Sequence, residues 1–148
     1  MTDTTSDGTP GYTLTARSPH DYDATVARVR ELLGDAGFGV LTEIDLKATL
    51  KKKLDVDVAP QVILGACRPQ LAHQALEVEP SIAALLPCNV VVRALDDTTT
   101  VVEAFDPDVM MSGGLGDADG PAGDAIRSVA TDARERLSKA LASLEGTT

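Results

Sequence analysis

The sequence predicts an α+β fold: a small single domain of about five strands in a mainly antiparallel sheet, with helices packed on one face. Three observations carry this. Strand-like segments and helical stripes follow one another along 148 residues, the usual size of one domain with one core. The last two strand-like segments, residues 88–95 and 99–105, are separated only by a turn containing Asp96 and Asp97, so they pair as an antiparallel hairpin. No internal repeat occurs, and the order of elements suits helices gathered on one face better than a doubly wound sheet.

The first strand is "YTLTARS", residues 12–18, which alternates and carries β-favouring side chains. Ser18, Pro19 and Asp21 then read as an S-x-x-D helix start, with Ser18 as N-cap and Pro19 at the first helical position. Tyr22, Val26, Val29 and Leu33 follow at spacings of four, three and four, which gives that helix one core-facing stripe. Gly37 ends it as a left-handed cap. "FGVLTEI", residues 38–44, is a second strand whose mixed polarity suits a sheet covered on one side.

Asp45 can cap the next helix, where Leu46, Leu50 and Leu54 recur every four residues before the "DVDVAP" turn. Lys53 lies beside that leucine stripe and Lys47 and Lys52 do not, so Lys53 is expected near the core. "QVILGAC", residues 61–67, is the third strand, and Pro69 opens a helix reaching about Val78. Pro80 breaks it, a helical turn "SIAALL" follows, and Pro87 breaks the chain again before the hairpin. Residues 112–120 are too glycine-rich to pack. Beyond them Ile126, Val129, Ala133, Leu137, Ala140, Leu141 and Leu144 mark a long amphipathic helix. The expected organisation is a disordered tail over 1–11, a core over 12–111, a flexible linker over 112–120, and a terminal helix over 121–148 that packs on the core.

Composition narrows the function classes. Twenty-three acidic and thirteen basic residues leave a formal net charge of −10, which repels phosphates and argues against a nucleic acid partner. Two Phe, two Tyr and no Trp cannot build a stacking platform for bases. No export signal and no run of roughly 18 apolar residues is present. The expected location is therefore cytoplasmic, with no membrane partner. Asp outnumbers Glu, Thr is abundant and Lys is scarce, a composition similar to that of proteins from salt-loving microbes. Lys47, Lys51, Lys52 and Lys53 form the only dense positive segment, whose plain reading is a solvated helix face.

The two cysteines are too far apart for a zinc-ribbon spacing, and without an export signal they do not imply a disulfide framework. Cys67 falls at the mouth of a helix beside Arg68, and both the cation and the helix dipole would favour its thiolate. Simple burial is the competing reading, because free Cys is among the most buried residue types. His73 lies at the border of that helix's buried arc and could turn back toward Cys67, or it could be an ordinary surface histidine. Cys88 starts a strand. If that strand neighbours the one ending at Cys67, then Cys67, Cys88 and His73 could converge as ligands for zinc or another thiophilic metal. Glu43 and Asp45 could act as paired carboxylates near Lys53, unless Asp45 caps its helix and Glu43 pairs with a lysine. No G-x-S-x-G, P-loop, H-E-x-x-H or dinucleotide fingerprint occurs.

The run "GFGVLTEIDLKATLKKKL" (residues 37–54), with "ILGACRPQLAHQAL" (63–76), "LLPCNVVV" (85–92) and "DPDVMM" (106–111), resembles the domain of unknown function 302 family. The resemblance implies a small α+β domain of the TATA-box-binding-protein-like β-α-β-sheet-α arrangement, a homodimer, and no established activity. Its motif positions fall on Glu43, Asp45, Lys53, Cys67, Pro69, His73, Pro87, Cys88 and Asn89. Two positions depart from the pattern: Arg68 stands where the family usually has Asn, and Asp55 where it usually has Gly. Three functions follow as expectations. One is a thiol, metal or ligand site built on Cys67, His73 and Cys88. The second is a non-catalytic dimeric module that binds a small anionic ligand through Lys53 and nearby polar groups, with the cysteines merely buried. The third is a purely structural dimerisation domain.

Overall fold

The structure, a computed structural model, describes residues 11–111 and 119–145. Most of the tail expected over 1–11 and of the linker expected over 112–120 therefore lies outside the described residues. Strands β1 (Thr13–Ser18), β2 (Gly39–Asp45), β3 (Gln61–Cys67), β4 (Cys88–Ala94) and β5 (Thr100–Phe105) form one sheet in the order β1-β5-β4-β3-β2. Every pairing is antiparallel. Helices α1 (Tyr22–Asp35), α2 (Leu46–Leu54), α3 (Pro69–Val78) and α4 (Gly120–Glu145) join them, with 3-10 turns over Pro80–Leu85 and Pro107–Met111. This is the expected α+β class.

Register explains the core. Ala16, Val102, Val92 and Val62 stand in one row across the sheet, and Leu14, Ala104, Val90 and Leu64 in the next. Alternation points both rows to one face, where α1 and α4 cover them with Val29, Leu32, Leu33, Leu137, Leu141 and Leu144. Each fully buried Val or Leu side chain stabilises the fold by about 1.5–3 kcal/mol. A second cluster, made of Ala75, Ile82, Ile126, Val129 and Ala130, joins α3 and the first 3-10 turn to the first half of α4. All seven apolar positions expected on the terminal helix are buried. No helix among the described residues is long and apolar enough to cross a membrane.

Local signals act where the chain can satisfy them locally. After α1, Gly37 adopts φ 92°, its N–H bonds the Gly34 carbonyl at 3.0 Å, and the Phe38 N–H reaches the Leu33 carbonyl at 2.9 Å. That is the Schellman pattern, which satisfies two orphan carbonyls and turns buried Phe38 into the core.

The start of α1 differs from expectation. Asp21 is the N-cap, its carboxylate accepting from the Ala24 N–H at 2.9 Å, while Ser18 is the buried last residue of β1. The Ser18 hydroxyl serves the turn instead. It accepts from the Thr25 hydroxyl at 2.8 Å and the His20 N–H at 3.2 Å. The sheet holds Ser18 in register with Thr100, so it cannot leave β1 to cap a helix. The leucine stripe of α2 also fails to become a core face. No α2 residue is buried, because α2 follows the edge strand β2 and, among the described residues, packs mainly against β2 and β3.

Candidate functional site

The β3–β4 register sets Ala66 opposite Cys88, so Cys67 lies one step beyond that pair, at the end of β3. The expected proximity of the two cysteines holds. Both line a cavity of about 20 Å³ with Phe38, Leu71, Leu86 and Ala133, at the seam between the two apolar clusters. Such a space holds about one water and is too small for an organic ligand. Both cysteines are free. Burial pushes both thiols above the ordinary value, and Cys67 adds to the rise at Cys88. Burial thus disfavours the charged form of both thiols and opposes the thiolate-favouring effect expected of the helix mouth.

Arg68 does not serve Cys67, because its charge is taken elsewhere. Its Nη1 lies 3.3 Å from Asp132 Oδ2 on α4, with both side chains about one-quarter exposed. The other oxygen, Asp132 Oδ1, accepts from Arg136 Nε at 3.0 Å. Arg136 Nη1 in turn donates to the Ala36 carbonyl at 2.6 Å, placing a cation at the C-terminal end of α1, where the helix dipole favours one. Gly37 makes room for this arrangement. A Cβ there would sit 3.2 Å from Arg136 Nη1 and 3.5 Å from Arg68 Nε, so both guanidiniums press on the same backbone point. Beside them a groove of about 380 Å³ runs between α1 and α4, lined by Asp35, Asp132, Glu135, Arg136, Lys139 and Ser143.

The other expected site residues lie apart. His73 is on α3 with a side chain 76% exposed, and its Nδ1 is 3.8 Å from Glu77 Oε1. It faces solvent rather than the buried cysteines. Among the described residues no group of three His, Cys, Asp or Glu side chains could hold a metal ion, so Cys67, Cys88 and His73 do not form the expected zinc site. Glu43 pairs with Arg30 of α1 rather than with a lysine. Asp45 caps α2 by accepting from the Ala48 N–H at 2.9 Å. Lys53 is exposed on α2 and lines neither cavity described above. Glu43, Asp45 and Lys53 thus form no acid–base set. Asn89 is exposed on β4, in register with Gly65.

Asp132 and Arg136 were not among the residues expected from sequence. They stand four apart in "TDARER", off the apolar stripe of α4, and that spacing reads as an ordinary surface pair. Only the fold shows that Arg68, 64 positions away, completes it. The Arg-for-Asn departure at position 68 thus has a partner on the terminal helix.

Residues 14–144 match the family described as domain of unknown function DUF302. The chain is also similar to a protein of known crystal structure, an uncharacterized conserved DUF302 protein from Bacillus stearothermophilus. The TM-score is 0.74 at 28% identity, over 89% of this chain and 97% of that one. No curated protein matches. The family match spans the sheet, both cysteines and the helix carrying Asp132 and Arg136, and the chain belongs to the DUF302 family.

Proposed function

We propose that this chain is a non-catalytic module that binds a small ligand through an anionic head group, in the groove between α1 and α4. The observation that supports this reading is the pair of guanidiniums on Asp132. Each carries about five N–H donors; Arg68 uses one of them on Asp132, and Arg136 uses one on Asp132 and one on Ala36. The remaining Arg136 donors are held in place by those bonds at the side of a groove whose volume lies in the range of small-molecule sites, while Arg68 braces Asp132 from outside the groove lining. A pre-positioned guanidinium matches a carboxylate or phosphate with two parallel bonds. Lys139 adds a further cation along the groove. Lys53, the cation first expected to hold the ligand, has no part in it.

Thermal unfolding of the full chain with inorganic phosphate, citrate and a panel of carboxylate metabolites tests the reading. A ligand at 100 times its Kd adds about 2.7 kcal/mol to stability, so at least one anion is expected to raise Tm saturably. Arg136→Gln is expected to abolish that rise. Asp132→Asn, which removes the competing carboxylate, is expected to strengthen it. No rise with any anion, or one that Arg136→Gln leaves unchanged, overturns the proposal.

A further inference from the structure

The groove between α1 and α4 carries charges of both signs, and the anion-binding reading uses only the positive ones. Its lining sets two cations, Arg136 and Lys139, against three carboxylates, Asp35, Asp132 and Glu135. Asp132 is occupied by Arg68 and Arg136. Asp35 and Glu135 are exposed, and neither has an ion-pair partner among the described residues.

Two local observations set these carboxylates apart. Asp35 is the last residue of α1, and the final turn of that helix holds no basic residue. An acid at a helix C-terminus opposes the dipole, so Asp35 weakens the element that carries it. Glu135 stands four residues before Lys139 on α4, the favourable order for a helix ion pair. That pair does not form, whereas Asp132 and Arg136, the same four positions apart, meet at 3.0 Å. Both carboxylates thus face the groove without a role in an ion pair of the fold.

A bare anion is poorly matched to this lining. A carboxylate that takes the unused donors of Arg136 comes up against a net negative wall, and like charge brought together disfavours binding. A cationic group on the same molecule removes the conflict. We infer, resting on the anion-binding reading of the same groove, that its ligand is a free amino acid, with the carboxylate on Arg136 and Lys139 and the ammonium held by Asp35 from α1 and Glu135 from α4. The arrangement has the adjacency such a molecule needs. Arg136 Nη1 donates to the carbonyl of Ala36, the residue after Asp35, and Glu135 directly precedes Arg136. Both carboxylates therefore flank the guanidinium, as the ammonium of an amino acid flanks its carboxylate. Lys139 lies three residues from Arg136, on the same side of α4. Leu32, Ala36 and Ala140 supply the apolar part of the lining, against which the Cα and side chain of the ligand would rest. The groove volume of about 380 Å³ is at the small end of ligand sites, which run from about 300 to 1,000 Å³.

Isothermal titration calorimetry of the full chain tests this with L-alanine, L-valine and L-glutamate, each beside the acid that lacks only the α-ammonium: propionate, 3-methylbutanoate and glutarate. The tightest of these ligands is expected to be an amino acid, binding at least about tenfold tighter than its matched acid, the factor that one charge-assisted hydrogen bond supplies. Asp35→Asn with Glu135→Gln is expected to bring the two members of that pair within about twofold of each other, with far-UV circular dichroism as in the parent chain. A matched acid that binds as tightly as its amino acid overturns the inference and leaves the anion-binding reading in place. So does binding of phosphate or citrate with no amino acid bound, or a folded double variant that keeps the tenfold preference. If no anion and no amino acid binds, both fall.

Discussion

The two ends of the sheet are made from the same parts, a strand running into a short helix, and they come out differently. At one end β3 runs through Cys67 into α3, and α3 lies against α4, so Ala72 and Ala75 are buried. Arg68 between strand and helix finds Asp132 there. At the other end β2 runs through Asp45 into α2, which among the described residues packs mainly against β2 and β3, and its leucines stay partly or fully exposed. Both helices carry an amphipathic stripe of similar spacing. A stripe becomes core only when topology brings a second element to it: α4, arriving from the end of the chain, packs against α3, α1 and β1, whereas α2 lies at the far β2 edge of the sheet.

The sharpest way to break this comparison is to truncate matched leucines. Leu137→Ala on α4, at a position 1% exposed, is expected to cost about 2–5 kcal/mol in urea unfolding. Leu54→Ala, 65% exposed, is expected to stay within about 0.5 kcal/mol. Equal losses at the two positions would erase the distinction.

Gly65 tests the strand that leads into the Cys67 end. A Cβ there would lie within 2.2 Å of the Thr42 hydroxyl and 2.8 Å of the Pro87 ring, so Gly65→Ala is expected to cost about 1–3 kcal/mol. A Thr42→Ser partner that does not relieve the strain would place the conflict at Pro87.

The ion pairs sharpen the comparison further. Asp132→Ala leaves two guanidiniums without their shared carboxylate and is expected to cost about 1–2 kcal/mol, below the fully buried figure because the groups are one-quarter to one-third exposed. Asp55→Ala, which removes a partner of Lys51 on α2, is expected to cost less than about 1 kcal/mol and to lose its effect in high salt.

The smallest effect concerns the thiols. Both are raised in the fold, so the native state favours their protonated form. The stability they contribute is complete below the unfolded thiol value of about 8.5 and is lost as pH rises through the folded values. The urea midpoint is expected to fall as pH rises above about 8.5, and to fall less in a Cys67→Ala, Cys88→Ala variant. Alkylation of the native chain is expected to be slower than that of free cysteine and to recover on unfolding. Native alkylation as fast as free cysteine would mean that the thiols are not desolvated.

Much of the fold was readable from spacing alone. The class, five strands, Asp45 as a cap, Gly37 as a left-handed stop and the α4 stripe rest on signals a few residues long. The start of α1 was misplaced for a physical reason. Ser18 and Asp21 are both good caps, and the choice between them was made by Thr100, the first residue of β5, which holds Ser18 in the sheet from 82 positions along the chain. Within the candidate site, the nearness of the two cysteines was readable once their strands were paired. The separation of His73 from them, and the Arg68–Asp132–Arg136 arrangement, were not.

Short-range signals sufficed to assign the strands and helices and the apolar side of each, though not the start of α1, because backbone hydrogen bonding and side-chain period act over a turn or two of chain. Tertiary contacts settled which apolar sides are covered, which cations meet a carboxylate, and how far each cysteine is withdrawn from water. Those outcomes depend on contacts such as Arg68 with Asp132, 64 positions apart, and a local pattern can state that a helix has an apolar face without stating what will lie against it.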